Sequence, residues 1–140
     1  MKKLALVLSA LIGLFMLWGG VLHFLKPAFY LPFVPDFLPF RTGFVALSGA
    51  VEILLGVAVL TPRFRSIAGW GIMMLMIAFL PVHVADVFRA NPAIGTHAAA
   101  LTRLPFQFLF ILWAGFVAKN TATVPSRENH MLTAKAKSHR

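Results

Sequence analysis

Five side chains in this sequence could do chemistry at a depth where ionisable groups are rare: Glu52, His83, Arg103, Gln107 and His23. Glu52 lies near the middle of the apolar stretch Phe44–Leu60. A carboxylate at such a depth in a bilayer costs roughly 3 kcal/mol on insertion scales. It persists only where it is protonated, paired or facing a polar cavity. Glu52 and His83 are candidate proton carriers, and Arg103 or Gln107 could hold a carbonyl oxygen. His23 and His83 would also permit two axial haem ligands, but membrane histidines more often act as hydrogen-bonding groups, which disfavours haem. The chain has no cysteine, which removes disulfides, thiolate metal sites and iron–sulfur clusters. No metal site is expected, and no catalytic or cofactor motif stands complete.

The elements that carry these residues are apolar helices. Apolar residues make up 59% of the 140 and charged residues 12%, against roughly 45–50% and 25% in soluble domains. Four stretches are long enough to cross a bilayer: Leu4–Leu25, Phe44–Leu60 or from Arg41, Ile67–Phe88, and about Ala98–Ala118. The expected fold is therefore all-α, an integral membrane four-helix bundle over residues 1–118. A basic, non-periodic tail at 119–140 reads as disordered. The start, Lys2-Lys3 and an apolar run, looks like a signal peptide. The run continues to Leu25 without a clear small-x-small site, which favours a first membrane helix.

Between the first two spans, Pro27, Pro32, Pro35 and Pro39 alternate with Phe29, Tyr30, Phe33, Phe37 and Phe40. Such proline density forbids a spanning helix, and the aromatics suit a membrane interface or a lid over the bundle. Thr61-Pro-Arg63 ends the second span and makes spans two and three an antiparallel hairpin. The formal charge of +9 sits largely near the chain ends. It reads as topology and lipid attraction, not nucleic-acid binding.

At 1.5 Å per residue the polar groups form a ladder. His23 and Asp86 lie outermost, His83 and Arg103 next, and Gln107 and Glu52 deepest. Gln107 is the best depth match for Glu52, with Arg103 second. Ser48, Glu52 and Gly56 share one helix stripe, and Arg103 and Gln107 share another. Pro81 leaves the Ile77 carbonyl without its helical donor. The picture is a polar funnel opening away from the termini. Blander roles stand beside it. Glu52 with Gln107 or Arg103 could be an interhelical clamp, Asp86 could pair with Arg89 near the headgroups, and His23 could mark the interface. The tryptophans read as lipid-facing or packing residues, and Met73, Met74 and Met76 as core filler. His97, His130 and His139 carry no assignment.

Gly20-Val-Leu-His-Phe-Leu-Lys-Pro27, Val34-Pro-Asp-Phe-Leu-Pro39 and Leu47-Ser-Gly-Ala-Val-Glu-Ile-Leu-Leu-Gly56 resemble the DoxX-like family of small membrane proteins. Thr61-Pro-Arg63, Arg103-Leu-Pro-Phe-Gln107 and Trp113-Ala114 do so too, and the resemblance covers about residues 5–118. It implies a four-helix membrane bundle, usually bacterial. The family is named after a subunit linked to thiosulfate:quinone oxidoreduction. Relatives are associated with redox or oxidative-stress complexes, and a distant animal branch with receptor assembly. The expected function is a non-enzymatic subunit or assembly factor of the bacterial cytoplasmic (inner) membrane. Its polar pocket would take a lipophilic small molecule or a membrane or redox protein partner. The alternative is a quinone-interacting subunit of a membrane oxidoreductase.

Nine of the 13 Lys and Arg residues fall on the side of the termini and the Arg63/Arg65 turn; Lys26, Arg41, Arg89 and Arg103 fall on the other. The positive-inside rule then predicts both termini in the cytoplasm. A reporter fused to the C-terminus should be active only if cytoplasmic; an exported reporter would overturn the orientation.

Overall fold

In the computed structural model, which describes residues 2–122, every regular element is helical. The tail beyond residue 122, with His130 and His139, lies outside the described residues. Helix α1 spans Lys2–Leu25, α3 Arg41–Leu60, α4 Arg65–Phe88 and α5 His97–Asn120. Between α1 and α3 lie a single turn, α2, at Pro27–Tyr30, and a 3-10 turn at Leu31–Phe33. The spans agree with those expected, extended by up to three residues at their ends. All four long helices are long and apolar enough to cross a membrane, and the protein is a multi-pass membrane four-helix bundle.

The exposed residues agree with a lipid-facing surface. Leu14, Leu47, Leu54, Ile67 and Leu112 all point outward, a pattern that water would penalise and hydrocarbon does not. Trp18 and Trp70 join them, whereas Trp113 is half-buried and donates from Nε1 to the Leu8 carbonyl at 3.1 Å. Met73 and Met76 pack in the interior as expected, while Met74 faces outward.

Lipid gives little hydrophobic drive for helices to associate, so close packing has to supply it. Glycines provide it between α1 and α3. A Cβ on Gly49 would lie 2.8 Å from the Gly20 carbonyl oxygen and 2.5 Å from His23 Cβ. One on Gly20 would lie 2.7 Å from the Gly49 carbonyl oxygen. Two turns further on, Gly13 and Gly56 repeat the contact. Helices α4 and α5 approach similarly, with Gly69 against the Ala118 backbone and Ser66 Oγ donating to the Ala118 carbonyl at 2.8 Å. The hairpin neighbours α3 and α4 touch as expected. The tighter partnerships, however, are α1 with α3 and α4 with α5, because those pairs carry the small residues.

The half of the bundle nearer the termini is solid. Ile12, Met16, Val59, Ile72, Ala114 and Val117 are almost fully buried there. In the other half, the fully buried positions thin out, from Met76 to His83 on α4 and from Ala100 to Gln107 to Ala114 on α5. Pro81 and Pro105 lie inside these two continuous helices in that half and interrupt only their hydrogen-bond ladders.

The glycine contact makes an opposed pair of outcomes. Gly49→Val should lower the thermal stability of the detergent-solubilised protein by about 1–3 kcal/mol, the usual cost of overpacking. Gly43→Ala, whose Cβ would meet only Phe40 Cβ at 3.8 Å, should be neutral or gain up to about 1 kcal/mol from helix propensity. Equal effects would mean that the α1–α3 approach is not what holds the pair.

Candidate functional site

The thinning of the core at the end opposite the termini leaves a cavity of about 410 Å³ between the four helices. Each long helix contributes to it: α1 with Gly19 and His23, α3 with Ser48 and Glu52, α4 with Phe79 and His83, α5 with Arg103 and Gln107. All five side chains singled out from the sequence therefore face one space. Four of them, Glu52, His83, His23 and Gln107, are more than nine-tenths buried.

Glu52 reaches its position because Gly19 has no side chain. A Cβ there would lie 2.9 Å from Glu52 Oε2. The partner found for Glu52 differs from the one expected. His23 Nδ1 lies 3.8 Å from Oε2, and neither Gln107 nor Arg103 clamps the carboxylate. Gln107 donates instead from Nε2 to the Met76 carbonyl at 2.6 Å, with Met76 Sδ at 3.7 Å. That carbonyl is one residue before Ile77, the one freed by Pro81. His23 Nδ1 lies 2.9 Å from the Gly19 carbonyl; since a carbonyl only accepts, this nitrogen carries the proton.

Two polar atoms in the site are buried without a hydrogen-bond partner in the protein: His83 Nδ1 and Arg103 Nη1. Arg103 is supported by its face, with the guanidinium carbon 4.5 Å from the Phe33 ring centre, a cation–π contact. Asp86 stands outside the cavity and corrects the expected ladder. It pairs with Arg89 at 3.9 Å as the bland reading had it, but it is only 1% exposed. Its carboxylate accepts from the Ala93 amide at 2.5 Å and the Ile94 amide at 3.3 Å. It thus anchors the loop that leads into α5.

The Pro/aromatic segment, for which the sequence left open an interfacial position or a lid, covers the cavity with Tyr30, Phe33, Val34, Pro35 and Leu38, and arginines hold this lid down. Arg41 donates to the Leu31 carbonyl at 2.7 Å and pairs with Asp36 at 2.7 Å. Arg89 donates to the Pro32 carbonyl at 2.5 Å. The underside of the lid carries two residues not named as candidates from the sequence. Phe33 meets Arg103, and Tyr30 stacks on His23 with ring centres 3.7 Å apart. The signal available for Tyr30 was its being the sole tyrosine, three residues after Pro27 and two before Pro32.

Below the lid, Phe15 and Phe110 stack at 4.5 Å across the α1–α5 seam. Phe15 and Phe106 line the cavity yet are 50% and 55% exposed. Residues that face both the cavity and the outside mark a mouth, so the cavity reaches the lipid-facing surface beside α5.

The fold and site define a small multi-pass membrane bundle with an amphipathic cavity: a polar centre of five side chains within aromatic walls. The chain belongs to the family described as a domain of unknown function, DUF8561, whose model matches residues 11–118. All five cavity residues fall within that match. Searches of curated proteins and of solved structures give no match.

Tyr30 reports on the site. Burial raises its phenol above the usual value near 10, the Glu52 charge raises it further, and Arg103 opposes. Because the chain has one tyrosine, ultraviolet titration reads it alone. Glu52→Gln should move the titration down while leaving it above the usual value, since burial is the larger cause. No response to Glu52→Gln would place the carboxylate away from the lid.

Proposed function

We propose that this protein binds a lipophilic small molecule with a polar head in the cavity under the lid, as a non-enzymatic subunit or assembly factor of a membrane complex. The observation that carries the reading is the convergence of Glu52, His83, Arg103, Gln107 and His23 on a 410 Å³ space with aromatic walls. A core that served packing alone would fill with side chains, whereas small-molecule sites are apolar cavities of about 300–1,000 Å³ with a few converging polar groups. The DoxX-like resemblance belongs to this reading, as does placement in the bacterial cytoplasmic membrane with both termini inside.

A second reading, a quinone-interacting subunit of a membrane oxidoreductase, is favoured by one contact. The 3.8 Å approach of His23 to Glu52 puts two groups able to carry protons beside the space a head group would occupy.

Solvent extraction and mass analysis of the purified protein test the first reading. Wild type should retain a lipid-soluble compound in near-stoichiometric amount. Glu52→Gln should fold and retain at least roughly tenfold less, a charged hydrogen bond being worth that much. Recovery of bulk membrane phospholipid only, in equal amounts from wild type and Glu52→Gln, would remove the binding site from the account. Saturable quinone quenching of intrinsic fluorescence, weakened by His83→Ala, would favour the second reading.

A further inference from the structure

The polar groups around the cavity specify what a head group must do, an inference that rests on the cavity being a ligand site. Arg103 Nη1 is buried, has no partner, and can only donate. Glu52 is 7% exposed, and the His23 nitrogen at 3.8 Å is beyond hydrogen-bond range and already engaged by Gly19. An ionised Glu52 can only accept. The two residues stand on α3 and α5, which lie diagonally across the bundle, since each packs on α1 and α4.

A head group placed between them meets a donor on one wall and an acceptor on the other. An anion would answer Arg103 but bring a second negative charge beside Glu52. A cation would answer Glu52 but approach Arg103. With both residues charged, the pair is neutral as it stands, and in a low-dielectric site a neutral head preserves that balance. A hydroxyl donates and accepts through one oxygen. His83 Nδ1, also unpartnered, offers a further hydrogen bond on the α4 wall. The remaining surface is rich in aromatic rings, including Phe33, Phe79 and Phe110, which suit an aromatic ring by stacking and edge contacts.

We propose that the cavity selects a neutral hydroxylated aromatic head, with the O–H donated to Glu52, the oxygen accepting from Arg103, and an apolar tail leaving through the mouth beside Phe15 and Phe106. The mouth faces lipid, so such a molecule would arrive from the bilayer and not through the arginine-pinned lid.

Four probes with one tail separate the alternatives: para-octylphenol, its methyl ether, octylbenzene and para-octylbenzoate. Their binding to the full-length protein in one detergent is read by tryptophan fluorescence or calorimetry. The phenol should bind on the order of tenfold tighter than the ether, which cannot donate. Glu52→Leu should bring that ratio close to one while octylbenzene binding stays as it was. Arg103→Leu should weaken phenol and ether alike. Equal binding of phenol and ether to wild type, or tightest binding by the benzoate, would overturn the head-group assignment and leave the cavity as a ligand site. Failure of all four probes to saturate would overturn the assignment together with the ligand-site reading beneath it. Should Glu52→Leu not fold, the wild-type ratios decide alone.

Discussion

A carboxylate inside a bilayer has to be housed, and the housing of Glu52 organises half of this molecule. Its oxygen lies where a side chain on α1 would otherwise be, above Gly19. The adjacent Gly20 meets Gly49 backbone to backbone, which fixes the α1–α3 separation. The glycine pair at 19 and 20 thus does two things at once. One glycine brings the helices together, and the other leaves room for the acid that the close approach presses against α1. A wider spacing would leave Glu52 without His23 beside it, and a bulkier residue 19 would push the carboxylate toward the lipid, where no compensation exists.

The two halves of the bundle divide the physical tasks. The half near the termini is packed by Ile12, Val59, Ile72 and Val117 and supplies cohesion through dispersion contacts. The other half gives up packing to hold polar groups. Pro81 and Pro105 sit in that half, where each removes a helical donor and leaves a backbone carbonyl to be satisfied in another way. Gln107, reaching across from α5 to the Met76 carbonyl, ties the two proline-containing helices together at the floor of the cavity. The site is therefore bounded below by a cross-helix hydrogen bond and above by a pinned lid.

The spans were legible because hydropathy and length suffice to define a membrane helix. The site residues were legible for a related reason: a polar side chain in an apolar helix stands out without any knowledge of its neighbours. Partners were not legible. Depth gave Gln107 and Arg103 as matches for Glu52, but depth is one coordinate, and the angle around each helix decides which side chains meet. The α1–α3 glycine contact turns Glu52 toward His23, a residue placed much further out by counting along α1. Asp86 shows the same limit. Its i, i+3 spacing to Arg89 pointed to a surface pair, whereas the decisive partners are the amides of Ala93 and Ile94, in a loop without a periodic signal. Tyr30 and Phe33 lie in a proline-rich segment where no helical or strand period says which ring points down.

The arginines of the lid side bear on how charge should be counted. Arg41 and Arg89 each bind a lid carbonyl and stand beside Asp36 and Asp86 respectively, and Arg103 lies over Phe33. Three of the four cations on that face are thus committed to structure, two of them next to a carboxylate. Orientation rules count cations because free positive charge resists translocation and favours the anionic cytoplasmic leaflet. Arginines compensated by carboxylates present less net charge to such a field than their number suggests. The nine-to-four contrast understates the asymmetry, and the same arginines that weaken the charge of that face are the ones that close the cavity toward water and leave lipid as its open side.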